Sequence, residues 1–494
     1  MRQFTANPAR VNESERRARG AYYTPPHVAD WIVANVDAHG TTWDPAVGDG
    51  VFLMAVVRAT PPERRRFVVT NLLFGYDTDE AAVRQTRANL TEAASLNLVE
   101  RAKLAEHVIV RDTLAHPPTA RFDVAIGNPP FLSRLRDRTA MKPELSLAMK
   151  ARYGAAIGPY TDAAALFWME MLRAASRVGI VLPASTFAAR DAHGARQMAF
   201  ETQGGATHAW MLPSFPGVGV AIVAAVMGPG PTTRWCGKPP SAIDAVQIFP
   251  DEPTWSPLLH HSAEPPPTRL VSSGTLADIA DATADFRDEY YAIKGHVAEE
   301  TAEMRVVTTG LIDVAGHAWS RRDAAIHGAR FRSPTVPVSA LHPRQHAQRR
   351  PKILVATQTP VIEAVADPDG VLLGTTPVVA VYPKRWTLWR TAAVMLSPVV
   401  SAWAMRTYRG SGQSLDAIKL SARQLLTMPL PASTGETEPF LREAEQACML
   451  AHTTSGATRQ AALLAMADAT TRAYQASNEV TEWWKSRVRE LNEG

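Results

Sequence analysis

The chain has 494 residues, 46% of them hydrophobic and 20% charged, which exceeds one ordinary core and fits a folded protein of two or more domains. A net charge of +4 does not by itself demand a polyanionic partner, so the placement of the basic residues matters more than their sum. Cys236 and Cys448, the two cysteines, lie far apart without metal or redox spacing, so neither a disulfide framework nor a metal site is expected.

Residues 1–20 are polar and arginine-rich and read as a basic arm. Arg2, Arg10, Arg16, Arg17 and Arg19 replace the apolar block of a signal peptide, and the longest apolar candidate, residues 392–405, is broken by Pro398. A cytoplasmic protein with no membrane segment is expected. Gly20-Ala21-Tyr22-Tyr23-Thr24-Pro25-Pro26 then leads into a helix over 27–36, with Thr24 placed as a cap or as a ligand-facing hydroxyl.

Thr42 to Leu53 runs from an acidic residue, Asp44, through Ala46, Gly48 and Gly50 into an apolar helix. That order brings backbone close to a nucleoside-bearing ligand at the top of a parallel strand, and its spacing departs from the Gly-x-Gly-x-x-Gly of a dinucleotide site. Leu72 to Asp77 reads as a second strand ending in a carboxylate suited to two ribose hydroxyls; Val108 to Asp112 reads as a third, ending in Asp112. Each aspartate alone reads better as a helix cap or a surface charge. Together they fit an open parallel sheet, which collects ligands at the carboxyl ends of its strands.

Phe122, Val124 and Ile126 form a short buried strand that Gly127 and two prolines stop abruptly. Asn128 is left on a stiff backbone, with Pro129, Pro130 and Phe131 following. The Asn128 side-chain oxygen and the Pro129 carbonyl can accept both hydrogens of one planar amine while Phe131 stacks on its ring. Such acceptors localise the amine lone pair for attack on an electrophilic methyl group.

These motifs, Asp44-Pro45-Ala46-Val47-Gly48-Asp49-Gly50, Gly75-Tyr76-Asp77-Thr78-Asp79, Asp112 and Asn128-Pro129-Pro130-Phe131, resemble those of the S-adenosylmethionine-dependent adenine-N6 DNA methyltransferases. The Tyr22-Tyr23-Thr24-Pro25-Pro26 element precedes them, an order similar to the gamma arrangement of the Taq and Eco57I types. The resemblance runs from about Gly20 to Pro431 and implies S-adenosylmethionine as cofactor and double-stranded DNA as partner. It implies that Thr24 holds the methionine carboxylate, that Asp44, Ala46 and the Gly48 to Gly50 turn face the amino end, that Asp77 binds ribose and that Asp112 binds adenine. It implies too that Asn128, Pro129 and Pro130 form the catalytic loop, with Phe131 against a flipped base. Val47 and Asp49 depart from the commoner cysteine and serine or threonine, and Phe131 stands where tyrosine is frequent.

Tyr160 to Glu170 begins a long amphipathic helix, 177–183 is another strand, and Ala221 to Met227 is a strand that closes the sheet, preceded by Phe215 as a second candidate aromatic wall for the base. Prolines become dense from Gly228 to Pro267 and read as an interdomain connection. Between Gly316 and Lys352 eight basic residues meet one acid, Asp323, and Arg321, Arg322, Arg330, Arg332, Arg349, Arg350 and Lys352 are the candidate DNA contacts. The expected organisation is an arm over 1–20, a catalytic domain over 21–228 with a doubly wound, mostly parallel α/β sheet, and a Pro-rich linker over 229–270. An α+β target-recognition domain over 271–435 and a helical tail over 436–494 follow.

The expected activity is site-specific adenine-N6 methylation in a restriction-modification or defence system. The segment before Tyr22 is too short for a fused nuclease, so a separate endonuclease or defence subunit is the expected partner. Methylation of RNA or of a protein glutamine amide, and a catalytically weak DNA-specificity subunit, are the alternatives.

Overall fold

The computed structural model describes residues 24–131, 143–158, 161–212, 220–252, 254–259, 265–266, 272–284, 287–300, 302–412 and 415–492. The chain divides into two compact units, Met1–His261 and Ser262–Gly494.

In the first unit, prolines open helix α1 (Pro26–Asn35), which buries Val28, Ala29, Trp31, Ile32 and Val33. There follow β1 (Thr42–Asp44), α2 (Val51–Ala59), β2 (Leu73–Asp77), α3 (Glu80–Ala94), α4 (Leu98–His107), β3 (Val108–Val110) and β4 (Phe122–Gly127). Asp79 caps α3 by accepting from Ala81 N, and Asn97 opens α4 through a capping box with Glu100. Then come α5 (Pro143–Tyr153), α6 (Ala163–Ala174), β5 (Ala175–Pro183), α7 (His193–Gln203), β6 (Ala206–Leu212), β7 (Ile222–Met227), β8 (Thr232–Cys236) and β9 (Ser241–Val246).

All nine strands form one sheet in the order β3-β2-β1-β4-β5-β7-β6-β8-β9, with β1 through β5 mutually parallel and β7 antiparallel to both β5 and β6. This is a mixed α/β fold around a large, mostly parallel sheet. Its inner strands read as near-continuous apolar runs because both faces are covered: Val124, Ala125 and Ile126 of β4 are fully buried. The chain travels outward from β1 to β3, then returns beside β1 as β4 and runs the other way. The switch point therefore lies between β1 and β4, where such sheets open a crevice at the carboxyl ends of their strands.

The proline-dense stretch differs from a linker. Residues 232–236 and 241–246 are β8 and β9, with β8 parallel to β6, and Trp255 is 1% exposed among Trp168, Phe187 and Phe200. Pro229, Pro231, Pro239, Pro240 and Pro250 lie outside these strands, where a missing N–H breaks no ladder bond.

The second unit begins with β10 (Ser272–Thr275), β11 (Ala280–Ala284), α8 (Arg287–Ala292), β12 (Ala298–Glu299), β13 (Met304–Val307), β14 (Ile312–Asp313) and β15 (Gly316–His317). It continues with β16 (Ala324–Ile326), β17 (Ala329–Phe331), β18 (Pro334–Val336), β19 (Lys352–Val355), β20 (Ala364–Asp367), β21 (Leu372–Gly374) and β22 (Val379–Pro383). Helices α9 (Leu388–Met395) and α10 (Pro398–Tyr408), strand β23 (Pro429–Pro431), and helices α11 (Glu438–Thr453), α12 (Gly456–Ala473) and α13 (Glu479–Lys485) complete it. Two four-stranded sheets, β11-β22-β19-β20 and β12-β18-β13-β21, stand beside the β16–β17 and β14–β15 hairpins. The helices after residue 436 are not an appended tail: Leu441, Cys448, Leu463, Met466, Tyr474 and Trp484 share one core with Ile353, Val355, Val379 and Val381 of the first of these sheets.

Candidate active site

Every strand end at the switch point carries an acid or an amide. Asp44 closes β1 and is fully buried; its Oδ1 accepts from Ala46 N at 3.0 Å, and its Oδ2 has no hydrogen-bond partner among the described residues. Burial holds its carboxyl well above the usual carboxylate range, and the nearby Asp77 and Asp49 push the same way. Gly127, the last residue of β4, lies directly against it: a Cβ built there would sit 2.9 Å from Asp44 Oδ1. Only glycine lets the two strand ends come this close.

The turn after β1 is fastened to β2 and α3. Gly48 N donates to Asp77 Oδ2 at 2.9 Å, Thr86 Oγ1 donates to Gly48 O at 2.8 Å, and Asn89 Nδ2 donates to Asp49 O at 3.0 Å. Gly48 has φ +54°, and a Cβ added to it would meet nothing within 4 Å, so its backbone faces open space. Asp77 Oδ1 also accepts from Asp79 N at 2.9 Å. Burial raises the Asp77 carboxyl despite these donors. The sequence reading missed Thr86 and Asn89; their signal is two polar residues three apart on the helix that follows the strand, one of them, Thr86, fully buried.

Asp112 lies two residues past β3 and caps a turn, its Oδ1 accepting from Leu114 N at 3.0 Å and Ala115 N at 3.1 Å. Three arginines hold this loop by its carbonyls. Arg111 donates to His116 O and Pro117 O while its guanidinium lies 5.0 Å from the Tyr76 ring centroid, Arg152 reaches Leu114 O, and Arg173 reaches Pro118 O. Fully buried Glu170 joins Arg152 to Arg173, a link the sequence reading also missed.

Asn128 follows β4 directly, and its Nδ2 donates to Thr24 Oγ1 at 3.0 Å. Thr24 is 6% exposed, just ahead of α1, so the Asn128 amide is oriented by the helix start. Pro129 is buried, Pro130 half-buried, and Phe131 is half-buried against the core of the first unit. Thr24, Asp44, Ala46, Gly48, Gly50, Asp77, Asp112 and Asn128 thus all lie at the carboxyl ends of β1 to β4 or at the start of the helix above them. Phe215 lies outside the described residues, as do the arm and Tyr22-Tyr23.

The basic stretch separates into classes. Lys352 corrects its expected role: it is fully buried in an ion pair with Asp367 and donates to Gln348 O, and an ammonium without exposure cannot track a phosphate. Arg322 pairs with Asp313 at 3.2 Å, Arg332 pairs with Asp323 at 3.1 Å, and Arg350 stacks 4.1 Å from the Tyr382 ring centroid. Arg321 is exposed and donates to His317 O. Arg330 and Arg349 are exposed. Among the described residues no group of three or more His, Cys, Asp or Glu is placed to hold a metal, and no helix is long and apolar enough to cross a membrane.

Fold and site define a mixed α/β unit around a mostly parallel sheet, with acids at the strand ends of its switch point and an anchored amide beside them. Residues 9–199 match the profile of the N-6 DNA Methylase family. No curated protein sequence matches the chain. Among solved structures, the chain is similar in fold to the Type IIL restriction-modification enzyme MmeI in complex with DNA, with a TM-score of 0.54 and 11% identity over 98% of this chain and 80% of that one. It is also similar to DrdV in its DNA complex, with a TM-score of 0.50 and 12% identity over 90% of this chain and 59% of that one. A nuclease-deletion mutant of the Type ISP enzyme LlaGI with a DNA substrate mimic gives 0.50 and 11% over 88% and 55%.

Proposed function

We propose that this chain is a gamma-arrangement adenine-N6 DNA methyltransferase that uses S-adenosylmethionine and serves as the modification component of a restriction-modification or defence system. The observation that carries the reading is the Asn128 amide, fixed by Thr24 one residue past the strand that abuts Asp44. The family match over 9–199 spans these same residues and supports it. The DNA complexes among the similar folds agree with a duplex DNA substrate, and a separate nuclease or defence subunit is the partner this role implies.

The residues present fit the cofactor. The buried Asp44 Oδ2 suits an ammonium, and the open space at Gly48 suits the close approach of a ligand to backbone. Thr24 would meet the methionine carboxylate, Asp77 the ribose and Asp112 the adenine ring. When bound, S-adenosylmethionine supplies an electrophilic methyl group.

The protein's part is positioning and electrostatics. Asn128 Oδ1 and the Pro129 carbonyl accept the two hydrogens of the adenine amine, which draws its lone pair out of conjugation toward the methyl group. Bound in this site, S-adenosylmethionine would give its methyl group to that nitrogen, and the surplus amine proton would pass to solvent. Phe131 stacks on the base, which must leave the duplex to present its amine in line. Long-read sequencing of DNA from cells expressing the chain tests the reading: N6-methyladenine at one defined motif is expected, and its absence, or a mark on cytosine, overturns it.

A further inference from the structure

We propose that the β16–β17 hairpin of the second unit enters the major groove of duplex DNA and that Arg330 on it reads a base edge rather than a phosphate. The inference rests on DNA being the substrate, as proposed above, and assigns one recognition residue within it.

The hairpin is built as a rigid two-stranded ribbon. Ala324, Ala325 and Ile326 pair in register with Phe331, Arg330 and Ala329, and the two-residue turn between them, His327-Gly328, has φ +52° and +85°. Two left-handed residues in succession make the type I′ geometry whose twist matches the strands. Glycine adopts it freely, whereas histidine there needs support. The support is visible: His327 N donates to Tyr290 Oη at 3.1 Å, and the Tyr290 ring lies 4.2 Å from the His327 ring, centroid to centroid. The turn is therefore clamped onto α8.

One face of the ribbon is core and the other faces solvent. Ala324 and Ile326 are buried, whereas Ala325, Gly328, Ala329 and Arg330 are exposed. The residue paired across from Arg330 is Ala325, so nothing bulky flanks the guanidinium on its cross-strand side. A two-stranded ribbon is a size that the major groove, about 12 Å wide, admits.

The charges around it are already sorted. Asp323, at the foot of the hairpin, pairs with Arg332 at 3.1 Å, and Glu299 accepts from Arg332 N and Ser333 N, both at 2.7 Å. The Arg330 guanidinium is exposed and has no hydrogen bond or ion pair among the described residues, and the Lys294 ammonium adds positive charge near the turn. An exposed, unpaired guanidinium on a rigid ribbon presents the preorganised fork that matches guanine in a bidentate contact better than a flexible lysine or an arginine already paired.

The full-length protein, its Arg330→Ala variant and its Arg330→Lys variant are each incubated with a random duplex library, and bound DNA is sequenced. For wild type, one enriched motif is expected; for Arg330→Ala, the same motif with the preference at one base pair reduced by roughly 5- to 150-fold is expected. Arg330→Lys keeps the charge but not the fork and should lose most of that preference too, with affinity for random DNA retained. Melting curves that match wild type exclude misfolding. A uniform loss of affinity for all sequences, with the slope of log affinity against log salt shallower by about 0.9, marks a phosphate contact and overturns the proposal. So does an unchanged motif, or a wild-type protein that enriches none. Mass spectrometry of N6-methyladenine in the same DNA is read separately: selective binding without methylation overturns the proposed activity and leaves this assignment standing.

Discussion

Asn128 Nδ2 donates to Thr24 Oγ1 at 3.0 Å, joining residues 104 positions apart and fixing which way the amide faces. With Nδ2 turned to Thr24 and the buried Oδ1 without a hydrogen-bond partner among the described residues, the proposed role makes Oδ1 the acceptor for an incoming amine. Asn128→Ala is expected to lower single-turnover methylation about 100-fold or more while cofactor and DNA affinities stay within about tenfold, because the acceptor acts chiefly in the transition state. Thr24→Val keeps the amide but frees it to rotate, so a loss of about tenfold in the same assay is expected, smaller than that of Asn128→Ala. Wild-type rates for Asn128→Ala would remove the amide from the chemistry.

With Asp44 as the proposed partner of the cofactor's ammonium, binding should be a proton-linked event. Its carboxyl is raised in the folded protein by burial first and by Asp77 and Asp49 after, so its contribution to the stability of the free protein is complete below 3.8, its ordinary value, and is lost as pH rises through the raised value. An ammonium held against Oδ2 favours the carboxylate and expels the proton. Affinity for S-adenosylmethionine should therefore rise with pH across that window. Calorimetry in two buffers of different ionisation enthalpy should show proton release for wild type and none for Asp44→Asn. Buffer-independent heats in the wild-type protein would place the ammonium elsewhere.

The Asp77 carboxylate, proposed to take the ribose hydroxyls, also holds Gly48 N and Asp79 N. Asp77→Ala should weaken cofactor binding by about 1.5–3 kcal/mol for each charged hydrogen bond lost and should also lower the melting temperature by loosening the Gly48 turn. DNA affinity should not change. Titration calorimetry beside thermal melts checks both, and unaltered cofactor affinity with a lowered melting point would leave Asp77 a purely structural cap.

What the sequence showed of this site followed from local patterning. An apolar run followed within two residues by an acid or amide marks a strand's carboxyl end, and Asp44, Asp77, Asp112 and Asn128 all follow that rule, with proline stopping the chain after Asp44 and Asn128. What it hid depends on partners far along the chain. The proline density of 229–267 looks like a linker locally, yet β8 is held by its parallel pairing with β6. The patterning after residue 436 marks helices but not that they share a core with β19 and β22. Lys352 looks like one more cation in a basic run, and only its cross-strand register with Asp367 reveals the ion pair.

Lys352 is therefore expected to matter for folding and not for DNA. Lys352→Ala strands the Asp367 carboxylate, itself 2% exposed, and should cost about 3–5 kcal/mol. Replacing both with Lys352→Met and Asp367→Leu should recover only part of that loss, because Asp367 also accepts from Val371 N and Leu372 N. Urea unfolding of Lys352→Ala, Lys352→Met and the double variant measures the series. A salt dependence of DNA affinity in folded Lys352→Met one phosphate shallower than wild type would restore the lysine to the DNA surface.

The second unit should weaken in mild acid because of His452. This α11 residue accepts the Ala366 N–H on Nε2 at 2.9 Å, while its Nδ1 lies 2.8 Å from Cys448 O and so must carry the proton. The ring is thereby satisfied as one neutral tautomer, and a second proton on Nε2 would eject the Ala366 bond. Burial, with Arg459 and His317 adding, lowers its pKa from 6.5 to about 4. A depressed folded value means that the unfolded chain binds more protons in between, so this stability is complete above 6.5 and is lost as pH falls through 4. The full effect is on the order of 3 kcal/mol. Thermal melts should show wild type losing more stability than His452→Gln between neutral pH and the lower end of that window, and equal losses in both proteins would assign the acid sensitivity to other groups.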